Sequence, residues 1–116
     1  MSSSVTAVRD RSDLKQVMAK ANEKLLVLEF MGSVSYRSTC EYMKPILDGI
    51  AAKKDAYFYT IDVNNDQFKE IAKEARLQAL PTFLIVKGTK TVRFLVAPDE
   101  AELSSSIEDA LEGKIN

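Results

Sequence analysis

Three short and almost unbroken apolar runs, Leu25–Phe30, Ala56–Val63 and Phe83–Val86, set the terms for what this chain can become. A strand with one solvated face alternates apolar and polar residues; a strand covered on both faces has no reason to. The runs therefore read as inner strands of a sheet with a layer on each side. Between them the spacing turns helical. From Ser12 onward Leu14, Val17, Met18 and Ala21 form one stripe, and from about Ser38 a second stripe holds Cys40, Met43, Leu47 and Ile50, with Pro45 as an internal kink. Asn64, Asn65 and Asp66 offer caps for a third helix with Phe68, Ile71, Ala72 and Ala75 inward. After Lys87–Lys90 as a turn, Thr91–Val96 reads as the return strand of an antiparallel hairpin. Pro98 and Asp99 open a last helix with Leu103, Ile107, Ala110 and Leu111 toward the sheet, closed by Gly113. With Val5–Val8 as an edge strand, the order is β-α-β-α-β-α-β-β-α. Right-handed crossovers then give an α/β fold, a mixed five-stranded sheet flanked by four helices, in one domain over residues 1–116.

The 116 residues are enough to bury a core without metal or disulfide staples, which become necessary well below ~80 residues. Sixteen basic residues against seventeen acidic ones leave a net charge of −1, which gives nucleic acid or an anionic membrane no electrostatic hold. There is no histidine and one cysteine, Cys40. Imidazole acid–base chemistry is thereby excluded, no ordinary zinc site can be assembled, and no intrachain disulfide can form. No cofactor is implied. The absence of a disulfide framework fits a reducing compartment. Met1–Val5 lacks a basic segment followed by an apolar one, and no apolar run approaches the ~20 residues that span a bilayer, so a cytoplasmic protein is expected.

The element order resembles that of the thioredoxin family, and local residues agree over nearly the whole chain. Leu25–Phe30 is similar to the central strand leading to the thioredoxin active site, and Lys44-Pro45-Ile46-Leu47 to the proline-kinked part of the following helix. Tyr59-Thr60-Ile61-Asp62-Val63-Asn64 resembles the strand that ends in an Asp, and Leu80-Pro81-Thr82-Phe83 the cis-proline segment facing the active site. The resemblance implies the thioredoxin fold.

The chemical motif is where the chain departs. The family pattern, aromatic-Cys-Gly-Pro-Cys, needs one thiolate to attack a disulfide and a second thiol to resolve the mixed intermediate. Here the region reads Gly32-Ser33-Val34-Ser35-Tyr36-Arg37-Ser38-Thr39-Cys40. Counting back from Pro45 puts Cys40 at the second cysteine, Arg37 at the first and Tyr36 at the aromatic, with two additional residues in the loop. Counting forward from Phe30 puts Ser35 and Ser38 at the two positions, with the additional residues inside the helix. In both registers the attacking thiol is missing. The resemblance further matches Glu29 to the family's buried acid, places Phe58 where its lysine partner stands, and places Val96 at the glycine beside the substrate groove.

Each of these residues has a plain reading beside a functional one. Cys40 is either a thiol activated by a helix N-terminus or a small apolar residue in line with Met43, Leu47 and Ile50. Arg37 is a solvated side chain or an anion contact, and Glu29 in its apolar strand is a buried carboxyl with a raised pKa. The resemblance implies a cis bond before Pro81 that exposes the Leu80 backbone to an extended peptide, in the manner of an added strand. Two functions follow. One is a non-catalytic binding or scaffold module that holds a protein partner or extended peptide in a groove at Tyr36, Arg37, Leu80 and Pro81. The other is a one-cysteine redox protein acting through mixed disulfides of Cys40. Neither reading involves nucleic acid or membrane, and nothing in the pattern fixes an oligomeric state.

Overall fold

The computed structural model describes residues 3–115; Met1 and Ser2, which begin the stretch read for targeting, and Asn116 lie outside the described residues. Along the chain run β1 (Val5–Ala7), α1 (Arg11–Ala19), β2 (Leu26–Met31), α2 (Arg37–Ala51), β3 (Tyr57–Asp62), α3 (Lys69–Glu74), β4 (Thr82–Lys87), β5 (Lys90–Val96) and α4 (Glu100–Leu111), with 3-10 turns at Lys20–Asn22 and Asp66–Phe68. The strand order is β1-β3-β2-β4-β5. β3 lies parallel to β1 and to β2, whereas β4 is antiparallel to β2 and to β5. This is the mixed five-stranded α/β sheet with four helices that the alternating pattern implies.

Every residue of β2 from Leu26 to Phe30 is buried, as a strand with a layer on each face requires. Successive side chains point to opposite faces. Leu26, Leu28 and Phe30 pack with Val17, Ile61 and Phe68 on the side of α1. Val27 packs with Leu47, Phe58, Phe83, Leu103 and Ile107 on the side of α2 and α4. Glu29, two residues on from Val27, is thus delivered to the α2 side of the sheet.

Two of the helices, α1 and α4, start at side-chain caps, each worth about 1 kcal/mol. Asp10 accepts from the Asp13 N–H at 2.8 Å and Asp99 from the Glu102 N–H at 2.8 Å. The Asp10 cap starts α1 at Arg11, one residue before the expected Ser12. α2 likewise begins at Arg37 rather than Ser38. Met18 and Leu111, expected inward, are 37% and 39% exposed. Each follows a fully buried neighbour, Val17 or Ala110, and the ~100° turn per helical residue carries it to the rim. Phe68 is fully buried as expected, but from the 3-10 turn, and the short α3 after it buries no residue completely.

Candidate functional site

Four pieces of chain meet at one end of the sheet: the last residues of β2, the loop 32–36, the first turn of α2, and the Leu80–Pro81 segment before β4. Gly32 sits where they touch. A Cβ there would collide with the Ser35 carbonyl oxygen and lie 3.1 Å from Leu80 Cδ1, so this position admits no side chain without displacement. The loop is tied down by the end of β3. Asp62 Oδ1 accepts from the Ser33 N–H at 3.3 Å, and Asn64 Oδ1 from the Val34 N–H at 3.0 Å. The loop ends at Tyr36, which takes a left-handed conformation with φ 56°. α2 then runs without interruption from Arg37 through Pro45 to Ala51.

Arg37 is the first residue of α2; its Nε donates to Glu41 Oε1 at 2.8 Å, with both side chains largely in solvent. Such an exposed pair, screened by solvent, adds little to stability. One turn further, Cys40 is 5% exposed and packs in the cluster that includes Leu28 and Phe30. Its Sγ accepts from the Gly32 N–H at 3.5 Å. Burial pushes the thiol pKa up, with the negative charges of Glu29 and Asp62 adding to the rise, and this outweighs the opposing pull of the Gly32 N–H. A reactive cysteine needs the reverse environment, electropositive and open.

Glu29 is 4% exposed and joins no ion pair among the described residues. Burial, and then the nearby charge of Asp48, raise its pKa to about 7. Phe58, which the resemblance places where the family's lysine stands, is a buried ring in the α2-side core and can supply no positive charge, and the β3 residue paired with Glu29 is Thr60. Glu29, Arg37 and Cys40 line one cavity of about 580 Å³, together with Lys44, Asp48 and Thr60.

The remaining site residues lie elsewhere. Tyr36 and Leu80 line a separate cavity of about 260 Å³ with Leu77 and Gln78, and the Tyr36 hydroxyl donates to the Gln78 carbonyl oxygen at 3.4 Å. The Leu80–Pro81 peptide bond is cis. The Pro81 carbonyl oxygen accepts from the Ala97 N–H at 2.8 Å, and Thr82 pairs with Val96, so this segment is fastened to the end of β5. The Leu80 N–H and carbonyl have no backbone partner among the described residues. Yet Leu80 is only 5% exposed and Pro81 is buried, so the strip expected to stand open is covered, with Gly32 lying against the Leu80 side chain. The structure thus groups Glu29, Arg37 and Cys40 on one side of the loop and Tyr36 with Leu80 on the other.

Lys44 and Asp48 were not read from the sequence as site residues, although the signal was there: Arg37, Glu41, Lys44 and Asp48 recur at helical spacing and make a polar stripe beside the apolar one. The anchoring roles of Asp62 and Asn64 depend on contacts across nearly 30 residues of chain, which local pattern does not carry. Among the described residues no group of three Cys, Asp or Glu side chains converges to hold a metal ion, and no helix is long and apolar enough to cross a membrane.

The family model described as Thioredoxin matches residues 5–109. Thioredoxin H2-2 of Oryza sativa subsp. japonica is 33% identical over 85 residues, covering 72% of this chain and 60% of that protein, so the match spans less than two thirds of the relative. The crystal structure of thioredoxin NaTrxh from Nicotiana alata aligns with a TM-score of 0.80 at 30% identity, covering 94% of both chains. A chain in the crystal structure of the ferredoxin:thioredoxin reductase and thioredoxin f2 complex aligns with a TM-score of 0.79 at 25% identity, covering 92% of this chain and 94% of that one. From its sheet order, its matched residues and its single cysteine, the chain belongs to the thioredoxin family, as a thioredoxin-like protein without a cysteine pair.

Proposed function

We propose that this protein is a single-domain binding or scaffold module of a reducing compartment such as the cytoplasm. It holds a protein partner or extended peptide at the loop end of the sheet and carries out no thiol–disulfide exchange of its own. The observation that carries this reading is the exchange position itself. In the register counted from Pro45, the attacking thiol's place at the start of α2 holds Arg37, and the one remaining thiol, Cys40, is buried with its pKa raised. Binding does not need the missing chemistry. Val34 and Tyr36, both in the loop 32–36, are 76% and 52% exposed, large apolar side chains at the end where the groove lies. The Leu80 N–H and carbonyl are free to pair with an added strand, once a partner entering beside Tyr36 shifts the loop that covers them. The loop's backbone tethers at Asp62 and Asn64 contribute about 1 kcal/mol each, a cost that a partner can meet. The complex of thioredoxin f2 with its reductase supports partner binding as a use of this fold.

The other reading, mixed disulfides at Cys40, requires the thiol to leave its packing among Leu28 and Phe30. The experiment separating the two follows partner binding and thiol reactivity in one preparation. Native Cys40 should alkylate slowly and react readily in denaturant, Cys40→Ser should retain its partners, and no reductase-coupled disulfide reduction should appear. Fast native alkylation, together with loss of all partners in Cys40→Ser, would overturn the binding reading in favour of redox chemistry.

A further inference from the structure

β5 is the longest strand and an outer one, with β4 on one side and, among the described residues, no strand on the other; its last residues reach the loop end, where Val96 pairs with Thr82. Val92 and Leu95 turn into the core beside Leu103 and Ile107. Lys90, Thr91, Arg93, Phe94 and Val96 face outward, and the Phe94 ring stays 50% exposed. The pairing with β4 slips near Val86, so Val92 has no partner; from Arg93 to Val96 the ladder is regular again, against Thr82–Ile85. The free edge over Arg93–Val96 is therefore straight enough to template another strand.

Its charge identifies the kind of strand. Residues 87–96 contain Lys87, Lys90 and Arg93 and no acid, in a chain whose net charge is −1. None of the three joins an ion pair among the described residues. Cations on an outer strand oppose pairing with a second copy, because like charges would be brought side by side. The same cations attract a strand of opposite charge. Arg93 and Phe94, as neighbours on a strand, point to opposite faces, so a complementary segment alternates acidic and apolar residues. We propose that the β5 edge from Lys90 to Val96 is a docking site for an extended acidic segment of a partner protein, added as a sixth strand. Its acids would meet Lys90 and Arg93, and its apolar side chains would cover Phe94 and Val96.

The test is a titration of the whole chain with a peptide of alternating Glu and Val, followed by backbone amide shifts and hydrogen exchange. The amides of Arg93–Val96 should shift and gain protection. Reversing both charges in K90E/R93E should weaken binding by about tenfold, the size expected for two exposed ion pairs. Phe94→Ser, a second substitution at an exposed position, should weaken it as well with the melting temperature unchanged. The proposal is overturned if the peptide fails to bind, if a Lys–Val peptide binds equally well, or if K90E/R93E binds unaltered. It is also overturned if the shifts centre on Leu80, or if light scattering shows the free protein pairing with itself through β5.

Discussion

Glu29 shows how one residue can set the pH response of the whole domain. Its carboxyl releases its proton near pH 7 in the folded chain and near 4.5 when unfolded. The folded pKa is raised, so the unfolded state gains by ionising first. Stability is therefore highest below about pH 4.5 as far as this group is concerned, falls as the pH climbs toward 7, and above that is lower by about 3 kcal/mol. Glu29→Gln should remove this loss: urea denaturation at pH 8 should show a more stable protein, and at pH 4 little difference. A variant no more stable at pH 8 than the parent would mean that the native carboxyl is solvated better than its burial suggests. Arg37 makes the complementary point about chemistry. On a helix, residues three apart have Cα atoms about 5 Å apart, within disulfide range. Arg37→Cys should thus create a dithiol with Cys40 and confer dithiothreitol-dependent reduction of insulin where the parent shows none. If the variant stays inert, then more than the first thiol has been lost. The identities of Glu29, Cys40 and Arg37 as residues to watch were legible in the sequence. That all three share a cavity with Lys44 and Asp48, while Leu80 lines a separate one, was not, because cavity walls are assembled from elements distant along the chain.

At the level of elements, the buried strands were the easiest to read, since Leu26–Phe30 and Phe83–Val86 are apolar on both faces for a reason that acts locally. Helix positions followed from spacing, with errors at the ends: a cap such as Asp10 decides the start of α1, Ala21 falls in the 3-10 turn after it, and Phe68 in the 3-10 turn before α3. Left-handed residues were the harder part. Tyr36, Arg76 and Ala97 have φ of 56°, 52° and 45°, and none is a residue type that advertises this conformation. They are held there by their surroundings: the Tyr36 carbonyl, for example, accepts from Cys40 N–H at 3.1 Å and from Thr39 Oγ1 at 2.9 Å. The loop before α2 depends on Gly32 more than on any of its hydroxyl residues. Gly32→Ala should cost about 1–3 kcal/mol in chemical denaturation through overpacking against Ser35 and Leu80. It should also raise hydrogen exchange at the Ser33 and Val34 amides, and an unchanged denaturation midpoint would show that the loop relaxes freely.

At the scale of the molecule, the alternation of helices and strands gave parallel pairs with right-handed crossovers and a closing antiparallel hairpin, whereas the thioredoxin fold itself was read from the resemblance and the strand order only from the structure. The distribution of charge was less visible, since a net charge of −1 conceals a hairpin that carries only cations. The strand order β1-β3-β2-β4-β5 also has a consequence in time. β2 is the middle of the sheet, but both of its neighbours are synthesised after it. During translation it first gains β3 on one side, and its other side stays bare until residues 82–87 have left the ribosome. Until β4 is made, the chain therefore displays an unpaired apolar edge on β2, and closing the sheet joins segments far apart in sequence.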